Sequence, residues 1–293
     1  MTTKEIGRLV TAMVTPFRRD GELDIARARQ LADRLVDEQH NEAILVNGTT
    51  GESPTTTSDE KIALVKAVKE QLGERAGVIA GVGTNDTRSS IEMAKRSADA
   101  GADALLAVTP YYSLPPQDAI ISHFMHLADA TDLPVILYDI PHRTGRPIET
   151  ESLLELAKHP NIIGVKDAKK DMVAAASVLA QTDLRYWAGD DAKVLPELAI
   201  GGYGVVGTST HFTGRRTREL IDAYLAGDQD KALTIYRELL PVYTGVFATQ
   251  GVMLVKAGLA HLGFPVGGVR PPLLDANESQ AKAFGAILDA AKL

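Results

Sequence analysis

The sequence predicts an α/β fold, a (β/α)8 TIM barrel with a small C-terminal helical domain, and three observations carry that prediction. Short aliphatic or β-branched runs alternate about eight times with longer stretches of helical period. Several of the short runs are apolar at every position, as a strand covered on both faces of a parallel sheet must be. From about Asp228 onward the strand signals stop and helical spacing continues to the end. With 293 residues and 45% hydrophobic content, the chain has enough apolar side chain for one large core and an appendage.

In chain order, the strand-like runs are LVTAMVTPF, AILVNG, GVIAGVG, ALLAVTP, PVILYDIP, IIGVKDA, RYWAGDD and GVVGTS. Between them, segments such as DIARARQLADRLVDEQ and SDEKIALVKAVKEQLG open on an Asp or Ser suited to an N-cap and space apolar residues three and four apart. KALTIYRELLPVYTGVF, VMLVKAGLAHLGF and ESQAKAFGAILDAAKL carry helical spacing alone. The chain therefore divides into a barrel over residues 1–227 and a helical domain over residues 228–293. A doubly wound sheet would also alternate, but no GxGxxG follows the first strand and no GxxxxGK[ST] occurs, so the closed barrel is favoured.

Composition narrows the function. The 31 Lys and Arg against 38 Asp and Glu give a net charge of −7, spread without runs, which argues against a nucleic-acid partner. No apolar stretch approaches the ~20 residues of a membrane span, and MTTKEIGRLV lacks the basic-then-apolar layout of a signal peptide, so a cytoplasmic location is expected. The absence of cysteine excludes disulfides, thiolate nucleophiles and cysteine-ligated zinc. His123 and His126 share a helix face but read as packing or surface residues, and no metal is expected.

In a (β/α)8 barrel the chemistry gathers at the C-terminal ends of the strands. Those ends carry Gly48-Thr49-Thr50-Gly51-Glu52-Ser53, Thr109-Pro110-Tyr111-Tyr112, Tyr138-Asp139-Ile140-Pro141-His142-Arg143 and Lys166-Asp167. Lys166 lies inside an apolar run, where burial lowers an ammonium pKa and frees the amine to attack a carbonyl; the bland reading is an ion pair with Asp167 or Asp190. Tyr138, ending the preceding strand, is either packing or a proton-transfer phenol beside that lysine, with Thr50 and Tyr112 as candidates for a relay. GTTGES reads as a hydroxyl-capped turn or as a cradle of backbone N–H groups for a small carboxylate.

In this order and on these strands, GTTGES, TPYY, YDIPHRTG and GVKDA, followed by GDD at 189–191 and GGYGVVG at 201–207, resemble the signatures of the dihydrodipicolinate synthase and N-acetylneuraminate lyase family of class I pyruvate aldolases. The resemblance covers essentially the whole chain. It implies Lys166 as the Schiff-base lysine, Tyr138 as the proton-transfer group, and Thr49 with Thr50 as the site for a pyruvate carboxylate. It also implies Thr50 as the link from Tyr138 to Tyr112, and pocket-shaping positions at Gly189 and the backbone of Val206.

Tyr112 would reach into the adjacent subunit, which implies a tight dimer, commonly paired into a homotetramer. Arg143 in the P-x-R-T-G segment matches the synthases, which condense pyruvate with L-aspartate-4-semialdehyde in lysine and diaminopimelate biosynthesis, and a guanidinium fork suits that substrate's carboxylate. Asp139 and His142 depart from the commonest form of the motif. The alternatives are a sibling aldolase acting on a 2-keto-3-deoxy sugar acid or sialic acid, and a noncatalytic pyruvate-binding barrel. The proposed chemistry requires no cofactor.

The resemblance also bears on regulation. Ser53, Asn85 and Tyr111 match the site at which lysine-sensitive relatives bind L-lysine, whereas Ser58 and Lys61 stand where histidines are usual and Ser89 where a glutamate would receive the ligand's ammonium. Losing an anion and gaining a cation both disfavour a cationic effector, so weak or absent feedback inhibition is expected.

Overall fold

The structure, a computed structural model, describes residues 6–293; the first five residues of the N-terminal stretch lie outside it. Its first half runs β1 (Leu9–Ala12), α1 (Ile25–Asp37), β2 (Ala43–Val46), α2 (Ser58–Leu72), β3 (Gly77–Gly81), α3 (Thr87–Asp99), β4 (Ala104–Val108) and α4 (Gln117–Ala128). The second half adds β5 (Val135–Asp139), α5 (Pro141–Thr144), α6 (Thr150–Leu156), β6 (Ile162–Asp167), α7 (Met172–Leu179), β7 (Arg185–Ala188), α8 (Val194–Ala199), β8 (Gly204–Gly207) and α9 (Thr210–Leu225). Each strand lies within one of the expected runs. They pair in chain order and in parallel, and Leu9 meets Val205 to close the barrel.

Side chains alternate across this wall. Ile136 and Tyr138 of β5 face the interior with Val10, Leu45, Ile79 and Leu106, while Val135 and Leu137 face the layer beneath the helices. Trp187 fills the lower part of the interior: fully buried, its indole donates to the Gly7 carbonyl at 3.0 Å and meets Tyr203 edge-on at 5.1 Å. Gly164 makes room for it, because a Cβ there would come within 2.7 Å of the Trp187 ring. The GxGxxG spacing of Gly202–Gly207 is not a phosphate turn, since most of it is strand β8 itself.

Helix starts follow local hydrogen bonding. Asp24 caps α1 as expected, accepting from the Arg27 amide at 2.9 Å. The cap of α2 is Thr57, not Ser58, because Glu60 lies three residues beyond Thr57 and closes a reciprocal pair at 3.2 and 2.8 Å.

The remaining helices are α10 (Gln229–Gly245), α11 (Gly251–His261) and α12 (Glu278–Ala290). Their buried residues do not enclose a separate core. Ile235, Leu239 and Tyr243 cluster with Leu220 and Ile221 of α9, and Val255, Leu259, Phe284 and Leu288 continue the layer outside the barrel. Among the described residues no helix is long and apolar enough to cross a membrane.

Gly164→Ala tests the packing of the barrel floor. The added methyl would lie 2.2 Å from the Arg185 carbonyl oxygen on the neighbouring strand, so backbone must shift. Overpacking of this kind costs about 1–3 kcal/mol, and denaturant unfolding should show at least the upper part of that loss. Unchanged stability would contradict the close approach of β6 and β7.

Candidate active site

Tyr138 and Lys166 are register partners on adjacent strands, so their side chains project side by side into the barrel mouth. Both are 5% exposed, and the Lys166 Nζ lies 4.4 Å from the centre of the Tyr138 ring. Asp167 accepts from the Lys169 amide and Asp190 pairs with Lys170 at 3.0 Å; among the described residues, neither pairs with Lys166. The alternative of a structural ion pair therefore loses its partners.

Burial pushes the Lys166 amine down to about 8, with Asp191 opposing and the Arg143 guanidinium reinforcing the shift. Burial pushes the Tyr138 phenol up to about 12, against the pull of Arg143 and of a hydrogen bond with Thr49. At neutral pH the phenol keeps its proton. It can donate to a developing alkoxide or leaving hydroxide, then recover the proton through a neighbour.

The Gly48–Ser53 turn places two hydroxyls beside this pair. Ser53 and Gly51 amides fold back onto the Gly48 carbonyl and the Glu52 amide onto Thr49; among the described residues no bond engages the Thr49 and Thr50 amides. The two threonines face different walls. Thr49 bonds to Tyr138, whereas Thr50 Oγ1 lies 3.1 Å from Thr208 Oγ1. In this single chain the Thr50 hydroxyl is taken up by Thr208, and Thr49 is the threonine that acts on the Tyr138 phenol. Tyr112 is 89% exposed at φ 72°, a left-handed backbone that turns its ring out of the mouth.

A cavity of about 440 Å³ opens over Lys166, lined by Thr49, Thr50, Tyr138, Arg143, Gly189 and Thr208. Tyr243 of α10, with Phe247 and Gln250 of the link to α11, also lines it. Gly189 is fixed by its amide on the Asp167 carbonyl at 2.7 Å, and a Cβ there would come within 2.9 Å of that oxygen. Val206 is buried in the barrel wall opposite Val10 and lines neither this cavity nor the next. Arg143, on the single turn α5, borders this cavity and a second one of about 450 Å³.

Residues that sequence reasoning missed support the mouth from behind. Asp191, 1% exposed, accepts from the Thr208 and Ser209 amides at 3.0 and 2.9 Å at the start of α9, and burial raises its pKa. His211 Nε2 accepts from the Val14 amide at 3.2 Å, which leaves Nδ1 to donate to the Thr208 carbonyl at 2.7 Å. Burial pushes that imidazole down to about 4, so it is a neutral strut. Asp139 faces outward behind Tyr138, 1% exposed, accepting from the Ile148 amide at 3.2 Å with Lys169 at 3.8 Å; burial raises it to about 7. His123 is also buried and bonds to Thr87, while His126 is exposed, in line with packing and surface roles.

The second cavity is bounded by Ser53, Ser58, Lys61, Ser89, Glu92 and Tyr111. Lys61 does not simply point into solvent. Its ammonium donates to the Thr56 carbonyl at 2.6 Å and burial lowers its pKa, while Ser89 is drawn onto Asp86 at 2.7 Å.

Comparison with known proteins bears on this geometry. The chain is 59% identical over its full length to the full-length 4-hydroxy-tetrahydrodipicolinate synthase of Cutibacterium acnes. It is 58% identical to that of Acidothermus cellulolyticus, over 94% of this chain and 89% of the relative. A crystal structure of DHDPS from Cyanidioschyzon merolae with lysine bound superposes with a TM-score of 0.96 at 39% identity, covering 98% of this chain and 99% of that one. Residues 5–291 match the dihydrodipicolinate synthetase family. With the closed barrel, and with relatives this similar over their whole length, the chain belongs to that family.

Proposed function

We propose that this chain is a lyase with 4-hydroxy-tetrahydrodipicolinate synthase activity, condensing pyruvate with L-aspartate-4-semialdehyde through a Schiff base on Lys166. The observation that carries the reading is a buried amine, lowered to about 8, in register with a protonated phenol at a polar barrel mouth. In this reading residues 1–227 carry the chemistry and residues 228–293 wall the mouth. The protein works in the cytoplasm on small-molecule substrates.

The Lys166 amine attacks the pyruvate ketone, and Tyr138 gives a proton to the oxygen that leaves as water. Thr49 and Thr50, whose amides have no partner among the described residues, hold the pyruvate carboxylate. The resulting imine draws electrons from the methyl group, which loses a proton to give an enamine. That carbon attacks the aldehyde of the second substrate, whose carboxylate Arg143 binds. The substrate amine then adds to the imine carbon and displaces Lys166, closing the ring and restoring the free lysine. The resemblance gives sugar-acid and sialic-acid lyases a residue other than arginine at this position, so Arg143 supports the synthase reading.

Tyr112 enters the mouth of a second copy. Tyr111, Tyr112 and Leu114 are large, exposed and grouped in one loop, as expected of a surface covered by a partner. A tight dimer, paired into a homotetramer, follows from this reading.

Borohydride added with pyruvate should inactivate the protein and leave a reduced pyruvyl adduct on Lys166, because an imine forms and is trapped there. Peptide mass mapping decides it; an adduct on another residue overturns the assignment.

Imine formation should also depend on pH with a defined sign. Only the neutral amine attacks, so the rate should rise through about pH 8 and level above it. Arg143→Ala removes a cation that lowers the Lys166 pKa, so its inflection should move upward, while use of the semialdehyde falls by about tenfold or more. An inflection that stays in place would assign the depression to burial alone.

L-lysine should inhibit weakly or not at all, since the Lys61 ammonium borders the cavity that a cationic effector would occupy. A steady-state lysine titration checks this, and strong inhibition at pool-like concentrations would refute it.

A further inference from the structure

If Thr49 and Thr50 hold the pyruvate carboxylate, as just proposed, then whatever fixes their turn governs the first binding step. The nearest anchor is Glu52, which lines neither cavity. Its backbone sits in the left-handed region, φ 56° and ψ 38°, a conformation that a non-glycine residue adopts at a cost. Its carboxylate is buried. One oxygen lies 2.7 Å from the Lys256 ammonium on α11, with side-chain exposures of 2% and 4%, and the other accepts the Arg270 amide at 2.8 Å.

The far side of this contact is itself braced. Lys256 donates to the Gly268 carbonyl at 2.6 Å and lies over the Phe17 ring, and the Arg270 guanidinium donates to the Thr55 carbonyl at 2.7 Å just beyond the turn. A buried ion pair is weak evidence of net stability, because desolvating both charges offsets their attraction. Here one adjoins an unfavourable backbone conformation, two residues from Thr50. Both features make sense if the turn must be held in one geometry.

We propose that Glu52 is a positioning residue: its ion pair with Lys256 and its bond to the Arg270 amide pin the turn presenting Thr49 and Thr50, so that the C-terminal helices set the affinity for pyruvate. The pair touches no substrate. Its influence therefore falls on the KM for pyruvate, and much less on kcat or on the KM for the semialdehyde, which Arg143 holds.

The test compares Glu52→Gln, Lys256→Met and the double variant with the unmodified protein in steady-state assays well below their melting temperatures. Each single variant leaves one buried charge unpaired and should melt lower; the double variant removes both and should regain most of the loss. Misplacement by about 1 Å can cost about 100-fold, so the pyruvate KM should rise roughly tenfold in all three, with kcat and the semialdehyde KM within about threefold. A double variant with restored melting temperature and unchanged pyruvate KM would overturn the proposal, as would single variants that lose only stability. Should the singles not fold, the double variant still decides. Absence of pyruvate turnover by the unmodified protein would instead refute the reading on which this inference rests.

Discussion

Making one buried amine easier to deprotonate is the constraint to which the rest of this structure answers. Lys166 sits at 5% exposure, where an ammonium loses its hydration and, among the described residues, finds no carboxylate in contact to replace it. The closed barrel makes that environment: its lower interior is filled by Trp187 and aliphatic side chains, and the amine borders the cavity at the mouth. The charges in play have defined roles. Asp191 holds part of the amine's positive character, Arg143 opposes it, and the balance leaves a group that can exist in both forms near neutrality.

The fold was largely legible because a parallel barrel writes itself as alternation. Each strand is a run buried on both faces, and five of the helices begin at a hydroxyl or carboxylate, of Asp24, Thr57, Asp86, Asp171 or Asp228, that accepts from a first-turn amide. Thr57 was misjudged by one residue since Ser58 caps equally well in principle, and only the position of Glu60 decides between them. The placement of Lys166, Tyr138 and Arg143 at the mouth was also legible, since they are polar residues at or just after strand ends. The threonine assignment was not, because residues 49 and 50 are adjacent in sequence yet face opposite walls, one toward β5 and the other toward Thr208 after β8.

What the sequence hid is contact between distant segments. Asp191, Thr208 and His211 are ordinary residue types in ordinary local patterns, and their role comes from the closure of β8 against β1. The C-terminal helices show the same limit. Their periodicity announces helices, but nothing in it says that Tyr243 and Phe247 return to the mouth, or that Lys256 reaches a carboxylate in the loop after β2.

The register of β5 and β6 fixes the geometry of the proposed imine-forming pair apart from the residue proposed to choose its partner. Tyr138 and Lys166 are tied by the backbone ladder of the sheet, whereas Arg143 stands on a four-residue helix outside it. On the proposed reading, substitutions in that short segment would change which aldehyde meets the enamine while Tyr138 and Lys166 keep their geometry. Such a scaffold is open to diversification and to redesign: the electrophile pocket can drift through many sequences, each still served by the same nucleophile.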